Sequence, residues 1–440
     1  MAKDSMILLP QVVVLDTHIA TGQAVRIEEG RIAEVGPAAE VAARSPQTPR
    51  VDLARRILVP GGVNGHNHSF QVLLRGAGED ADFFTWRSRI LYPVSEWLSR
   101  DEIRRGAELA FADMLRHGIT TVADFFYLND QGPDTAWEIV EAAEAVGIRL
   151  VLARTFYDWE GAPARYRETP DEAREHTLAL AARVAGHALV SIQVAPHSPH
   201  GASETMVESA VATARELQVP LHVHCAEGEY ERMAVLERTG LTPVTWLESL
   251  GALTPSTLLI HAVWVDDRDI DRIAETGASV IHNPASNMIL GDGIAPVPTM
   301  LQRGIRVGLG TDGGCTNDRH SVFDEMRMAA LLQKVAARDG EALTAEAAWT
   351  MGTRYGAEAM GLDTGVIQPG RLADLVALDL DDPSLLPGPP TLRHLVYALS
   401  PAAVDRVWVG GEEVVRGGRP IRFSPEWSRD WRTRHALPSL

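Results

Sequence analysis

"RILVPGGVNGHNH", residues 56–68, is an apolar run that passes through glycines and ends in two histidines one residue apart. Isoleucine, leucine and valine in succession read as a buried strand. In an extended segment residues i and i+2 point to the same side. The imidazoles of His66 and His68 can therefore reach one ion while Asn67 points the other way. The same spacing also describes two polar residues at the end of a strand, so both readings stand until the rest of the chain is considered.

Seven further apolar runs share the pattern: "GITTVADFF" (118–126), "IRLVLARTF" (148–156), "ALVSIQVAPH" (188–197), "VPLHVHCAE" (219–227), "STLLIHA" (256–262), "ASVIHNP" (278–284) and "IRVGLGTD" (305–312). Such runs suit strands covered on both faces. Longer helical patterns lie between them. "RDEIRRGAELAFADMLRHG" (100–118) is one, closing on Gly118 as its C-cap. Eight strand–helix repeats predict an α/β fold, a (β/α)8 TIM barrel, with "RILVPGGVNGHNH" as its first strand. Both chain ends have a different texture. "QAVRIEEGRIAEVG" turns at Glu29-Gly30 and "DRVWVGGEEVVRGGRP" at Gly410-Gly411, as hairpins do. The expected division is 1–59 and 370–424 as two parts of a small β-sandwich domain, 60–369 as the barrel, and 425–440 as a tail.

Bulk properties narrow the partners. Hydrophobic residues make up 45% and charged residues 23%, ordinary for a globular protein. No apolar run reaches 18 residues, and the N-terminus lacks a signal-peptide pattern. The net charge of −18 argues against nucleic acid and anionic membranes as partners. Two cysteines, Cys225 and Cys315, suit a reducing compartment. A cytoplasmic protein is expected.

The predicted strand ends carry the chemistry. The first strand ends in His66 and His68, the fifth in His224 followed by Glu227, the sixth in His261, the seventh in His282 and the eighth in Asp312. In such barrels the C-terminal strand ends form the active site. Any one of these histidines alone reads as a satisfied core or loop residue; their joint position does not. Imidazoles with a carboxylate make a site for a divalent transition metal, which makes hydroxide available near neutral pH. Glu227, just past a strand end, can carry a proton to the leaving group.

Two features are decoys. "GLGTDG" (308–313) matches G-x-G-x-x-G after a strand, but Asp312 inside it would repel a phosphate. Cys225 and Cys315 flank candidate site residues, and as ligands they would be redundant, so they read as small, partly buried thiols. The zinc deaminase signature H-x-E…P-C-x-x-C is absent.

"PGGVNGHNHSFQVLLRG" (60–76), "HVHCAEGE" (222–229), "LLIHAVWVD" (258–266), "HNPASNMILGDGIAPV" (282–297) and "GLGTDGGCTND" (308–318) resemble the amidohydrolase superfamily. The nearest branch by these motifs is the aminohydrolases of S-adenosylhomocysteine, 8-oxoguanine and chlorinated triazines. The resemblance implies one divalent metal, zinc in the first instance and Fe(II) as the alternative, on His66, His68, His224 and Asp312. It implies Glu227 as the proton-shuttling acid and His261 as the group that stabilises developing charge. Asp312 is implied as acceptor of the water proton. His222 would stand behind the ligands, and His282 with Asn283 would shape the site. Substrate selection would fall on Gln71, Trp86, Arg154 and His197. Trp86 has an indole suited to stacking on a flat ring, or is a core aromatic; Arg154 could hold a carboxylate or carbonyl, or make a structural ion pair.

The reaction so implied is hydrolysis of the exocyclic amine of a purine, pterin, pyrimidine or triazine, with metal-bound hydroxide as nucleophile and ammonia as product. The substrate is a small heterocyclic amine, and a homodimer or larger homo-oligomer is expected. "FFTWR" (83–87), "SFQ" (69–71) and "LGDGI" (290–294) also resemble N-formimidoylglutamate iminohydrolases. Formimino hydrolysis, or loss of chloride or alkylamine from a triazine, is the alternative on the same site. A non-catalytic scaffold is a remote one, since every ligand position is filled.

Overall fold

The computed structural model describes residues 5–78 and 80–435. Eight parallel strands form one sheet in sequence order: β1 (Gly62–Asn67), β2 (Ile119–Phe126), β3 (Arg149–Phe156), β4 (Val190–Pro196), β5 (Leu221–Cys225), β6 (Thr257–His261), β7 (Ser279–His282) and β8 (Val307–Leu309). Every residue of β2 and β3 is buried, as strands lined by the barrel interior on one face and by helices on the other must be. The sheet is drawn together at its C-terminal mouth rather than by a full ladder. The Asp312 N–H donates to the His66 carbonyl at 3.0 Å, and the Thr311 N–H donates to Asn64 Oδ1 at 3.0 Å. Asn64 Nδ2 returns a bond to Thr311 Oγ1 at 2.7 Å. The residues that close the barrel are thus the neighbours of the residues that make the site.

The helix Arg100–Arg116 starts on a capping box between Ser99 and Glu102 and is followed by Gly118 at φ +80°. Strands from both chain ends make a separate nine-stranded mixed sheet. Its seam is Arg50–Pro60, which pairs parallel with Met6–Val14 and antiparallel with Leu375–Asp379. The two expected hairpin turns are present, with positive φ at Glu29 and Gly30 and at Gly410 and Gly411.

One expectation is corrected. "RILVPGGVNGHNH" is not a single barrel strand: "RILVP" belongs to the small sheet, and β1 begins only at Gly62. The chain changes sheets at Gly61, where a Cβ would run into the Thr120 side chain. Close backbone approach, which only glycine permits, makes the switch.

The tail forms two short helices, Glu426–Arg429 and Trp431–Arg434, and the buried Trp431 indole donates to Glu102 Oε1 at 3.1 Å. Residues 436–440 of the expected tail lie outside the described residues. Among the described residues no helix is long and apolar enough to cross a membrane.

Candidate active site

At the C-terminal mouth, His66 near the end of β1, His68 one residue past it and His224 near the end of β5 bring one ring nitrogen each to within 4.8 Å of one another. Asp312, in the loop after β8, reaches them: its Oδ1 lies 3.3 Å from His66 Nε2 and 3.5 Å from His68 Nε2. Asn67 faces away, as strand alternation requires, with its amide donating to Thr311 Oγ1 at 3.1 Å and to the Asp312 carbonyl.

The donor chemistry fits a divalent metal. His68 Nδ1 lies 2.6 Å from the Phe125 carbonyl and His224 Nδ1 lies 2.8 Å from the His197 carbonyl. A carbonyl only accepts, so each Nδ1 carries the proton and each Nε2 is left with a free lone pair. In the buried His66 ring Nδ1 lacks a hydrogen-bond partner, and Nε2 has only the Asp312 carboxylate beside it, 3.3 Å away. Burial drives the pKa of His66 down to about 3, and it also lowers His68 and His224. For Asp312 burial works the other way, but the hydrogen bond and charge of His66, helped by His261 and His68, outweigh it and hold the carboxyl well below its usual range. Ser286 Oγ at 2.6 Å and the Gly313 N–H at 2.8 Å donate to the same carboxylate. Three neutral imidazoles and one carboxylate are a zinc-type ligand set.

His261 is built differently. Its Nδ1 lies 2.9 Å from Asn287 Nδ2, and that amide nitrogen is identified by its second bond, 3.0 Å to Asp292 Oδ2. An amide N–H can only donate, so His261 Nδ1 accepts and the ring proton sits on Nε2. Nε2 faces Glu227 Oε1 at 3.6 Å and Asp312 Oδ2 at 3.9 Å. His66, His261 and Asp312 also bring their donor atoms within 4.8 Å of one another, and this tautomer turns the His261 N–H toward the two carboxylates. Burial raises the Glu227 carboxyl well above the usual range, and the nearby Asp292, Asp312 and Glu231 charges add to it. The surroundings thus push the two carboxyls in opposite directions.

These groups open into a small cavity at the mouth of the barrel. Its wall carries a group of aromatic side chains, among them Trp86, Tyr92, Tyr127, Tyr157 and Tyr166.

Residues 57–414 match the sequence model of the amidohydrolase family, and residues 24–47 match an imidazolonepropionase-like composite domain of bacteria. The chain belongs to the amidohydrolase family. The amidohydrolase is 36% identical over 403 residues to a 5-methylthioadenosine/S-adenosylhomocysteine deaminase of Syntrophobacter fumaroxidans, covering 91% of this chain and 90% of the relative. It is 35% identical to a 5'-deoxyadenosine deaminase of Methanothermobacter thermautotrophicus, covering 92% of each. Among solved structures it superposes on an adenosine deaminase of Xanthomonas campestris with bound zinc at a TM-score of 0.91, with 28% identity and 98% of both chains covered.

Of the expected substrate residues, Gln71, Trp86 and His197 line the cavity of the amidohydrolase. His197 stacks on Tyr157 with ring centroids 3.9 Å apart. Trp86 fits both of its readings, since it lines the cavity while only 6% exposed. Arg154 is a correction. It is fully buried, its guanidinium forks onto Glu168 at 2.6 and 2.7 Å, and it is not among the cavity-lining residues. Its terminal nitrogens are taken by Glu168 and the Thr155 carbonyl, the structural ion pair that was the other reading of this residue. His282 also stays off the cavity, buried with both ring nitrogens unpartnered, and His222 bonds Gln193 Oε1 at 2.6 Å behind the ligands. "GLGTDG" runs from β8 into a loop, and the next helix starts only at Val322.

Sequence reasoning did not single out Arg87, Tyr127, Asn287 and Asp292. Tyr127 follows the last residue of β2, so the strand-end rule that found the histidines also applies to it. Arg87 sits beside Trp86 in "FFTWR" and is the arginine that lines the cavity.

Proposed function

We propose that this amidohydrolase is an adenine-type aminohydrolase that releases ammonia from the exocyclic amine of a purine nucleoside. The observation that carries the reading is the meeting of Glu227, His261 and Asp312 beside three ligand imidazoles in one aromatic cavity. The names of the curated relatives point to the same substrate class. The proposed metal is zinc, as in the adenosine deaminase it superposes on, with Fe(II) as the alternative. A bound divalent ion would supply Lewis-acid activation of water near neutral pH. His66, His68, His224 and Asp312 would hold it.

The chain's own groups account for the proton movements. Asp312, held ionised, takes the proton of the attacking water. Glu227, held protonated, gives its proton to the ring nitrogen next to the amine-bearing carbon, which makes that carbon electrophilic. His261 donates through Nε2–H to the oxygen as charge develops on it. The amine receives the proton held on Asp312 and leaves as ammonia, and the hydroxyl proton passes back to Glu227 as the carbonyl forms. The aromatic wall stacks on the ring and limits the entry of bulk water. Cys225 and Cys315, both buried and neither in a disulfide, suit the reducing cytoplasm proposed for the enzyme.

One observation favours a second reading. Arg87 lines the cavity with its guanidinium 5.5 Å from the Phe83 ring and 5.4 Å from the Tyr92 ring, both also at the cavity wall. An arginine there suits a substrate carboxylate, as on an N-formimidoyl amino acid. A screen of zinc-loaded enzyme against adenosine, guanine, pterins, cytosine, aminotriazines and formimino amino acids separates the two. Ammonia release from adenosine is expected; release from formimino acids alone would replace the first reading with the second.

A further inference from the structure

Cys315 sits between two groups of the cavity wall. The Trp86 indole N–H donates to its Sγ at 3.3 Å, and the thiol donates to Gln71 Oε1 at 3.2 Å. The other end of that amide, Nε2–H, donates to the Tyr127 hydroxyl oxygen at 2.6 Å. The three bonds run in one direction. An indole nitrogen can only donate, so it sets the sulfur as acceptor and leaves the S–H for Gln71. The amide oxygen then faces the sulfur and the amide nitrogen faces Tyr127. The Tyr127 hydroxyl has accepted one bond, and its own proton is left for the cavity that Gln71, Trp86 and Tyr127 all line.

The backbone keeps this contact tight. A Cβ at Gly313 would run into the Gln71 side chain, and one at Gly314 would come to 2.7 Å from Val72 Cα. The loop after Asp312 therefore presses on the Ser69–Leu74 turn that carries Gln71, with Cys315 as its first side chain. Tyr127 is close to the reaction centre, its ring 5.1 Å from that of His68. Burial, with Tyr166 and Cys315 nearby, raises the phenol well above its ordinary value, so it stays a donor.

We infer that Cys315 is a positioning residue that sets the polarity of the Trp86–Cys315–Gln71–Tyr127 chain, so that Tyr127 offers a hydrogen-bond donor to an acceptor atom on the substrate. The acceptor is a ring nitrogen, an oxo group or a carboxylate oxygen; the inference rests on the small-molecule hydrolase reading above. Without Cys315 the Gln71 amide is free to turn over. Its oxygen then accepts from Tyr127, and the cavity meets a lone pair where it had met a proton. Serine at 315 keeps both a donor and an acceptor and preserves the direction of the chain.

The test uses full-length, zinc-loaded enzyme labelled with 3-fluorotyrosine. Tyr127→Phe identifies the Tyr127 fluorine resonance. Cys315→Ala should move that resonance and Cys315→Ser should leave it near its wild-type position. With adenosine, Cys315→Ala and Tyr127→Phe should each lower kcat/KM about fivefold, mainly through KM, the size of one net hydrogen bond. The double variant should lose no more than either single one, and Cys315→Ser should stay within about twofold. If Cys315→Ala does not fold, Cys315→Val, which fills the site and deletes the S–H, carries the same expectation. An unmoved resonance with unchanged KM, or losses that multiply in the double variant, overturns the inference. If the wild type leaves adenosine untouched, the substrate reading falls and the fluorine comparison alone decides for or against the chain.

Discussion

Glu227 and Asp312 face the same imidazole, 3.6 and 3.9 Å from His261 Nε2, yet their surroundings push their pKa values in opposite directions. Asp312 collects the hydrogen bond of His66, Ser286 and a backbone N–H, whereas Glu227 is desolvated beside other carboxylates. Two carboxyls driven apart by environment are how one site performs base and acid chemistry at one pH. Arg154 shows the opposite outcome, a charged residue near the site used for structure alone. Arg154→Met should leave Glu168 buried with only His176 beside it, 2.6 Å away. A loss of about 3–5 kcal/mol in unfolding free energy is expected. Metal content and kcat/KM of the folded fraction should stay at wild-type values; a selective rise in KM would return Arg154 to the substrate site.

At the scale of elements, the decisive device is the change of sheet at Gly61. Gly61→Ala puts a methyl against the Thr120 side chain at the start of β2, and overpacking there should cost about 1–3 kcal/mol. Thermal denaturation would register it as a lower Tm, and an unchanged Tm would show that β1 can shift to make room. This junction was half legible: the expected division at 59/60 falls beside it, while the run itself reads as one strand. An unbroken apolar run carries no mark of which sheet its halves join, because both halves are buried and extended. The eight strands were legible because each is an apolar run between helical patterns. The ligand histidines were legible because they stand at strand ends. Tyr127 and Asp292 were less legible, since the roles of a tyrosine and an aspartate depend on neighbours from other elements. Arg154 ends a strand as the histidines do, and only its partner Glu168, supplied from beyond β3, distinguishes the two uses.

Over the whole molecule, buried carboxyls make stability depend on pH. Glu325 bridges the loops after β7 and β8, accepting from the Ala285 N–H at 3.2 Å and Asn317 Nδ2 at 2.7 Å. Burial pushes its pKa from 4.5 up to about 8. The folded state thus holds a proton that the unfolded chain has released. The stability from this group is complete below pH 4.5, falls as pH rises, and is lost by about pH 8. The slope approaches about 1.4 kcal/mol per pH unit between those limits. Glu325→Gln removes that proton linkage. Unfolding free energies at pH 5, 6, 7 and 8 should therefore converge on, or pass, those of wild type as pH rises. A difference between the two proteins that stays constant with pH would mean that Glu325 is ionised in the fold.

The account as a whole depends on Glu227 delivering a proton while the four ligands hold the metal. Its most direct test is Glu227→Gln, read by metal analysis and by ammonia release from adenosine on the same zinc-loaded sample. Zinc should remain at wild-type stoichiometry while turnover falls at least about 100-fold, the scale of general acid catalysis. His66→Ala should lose zinc and turnover together. A Glu227→Gln enzyme that holds zinc and releases ammonia at the wild-type rate would contradict the account.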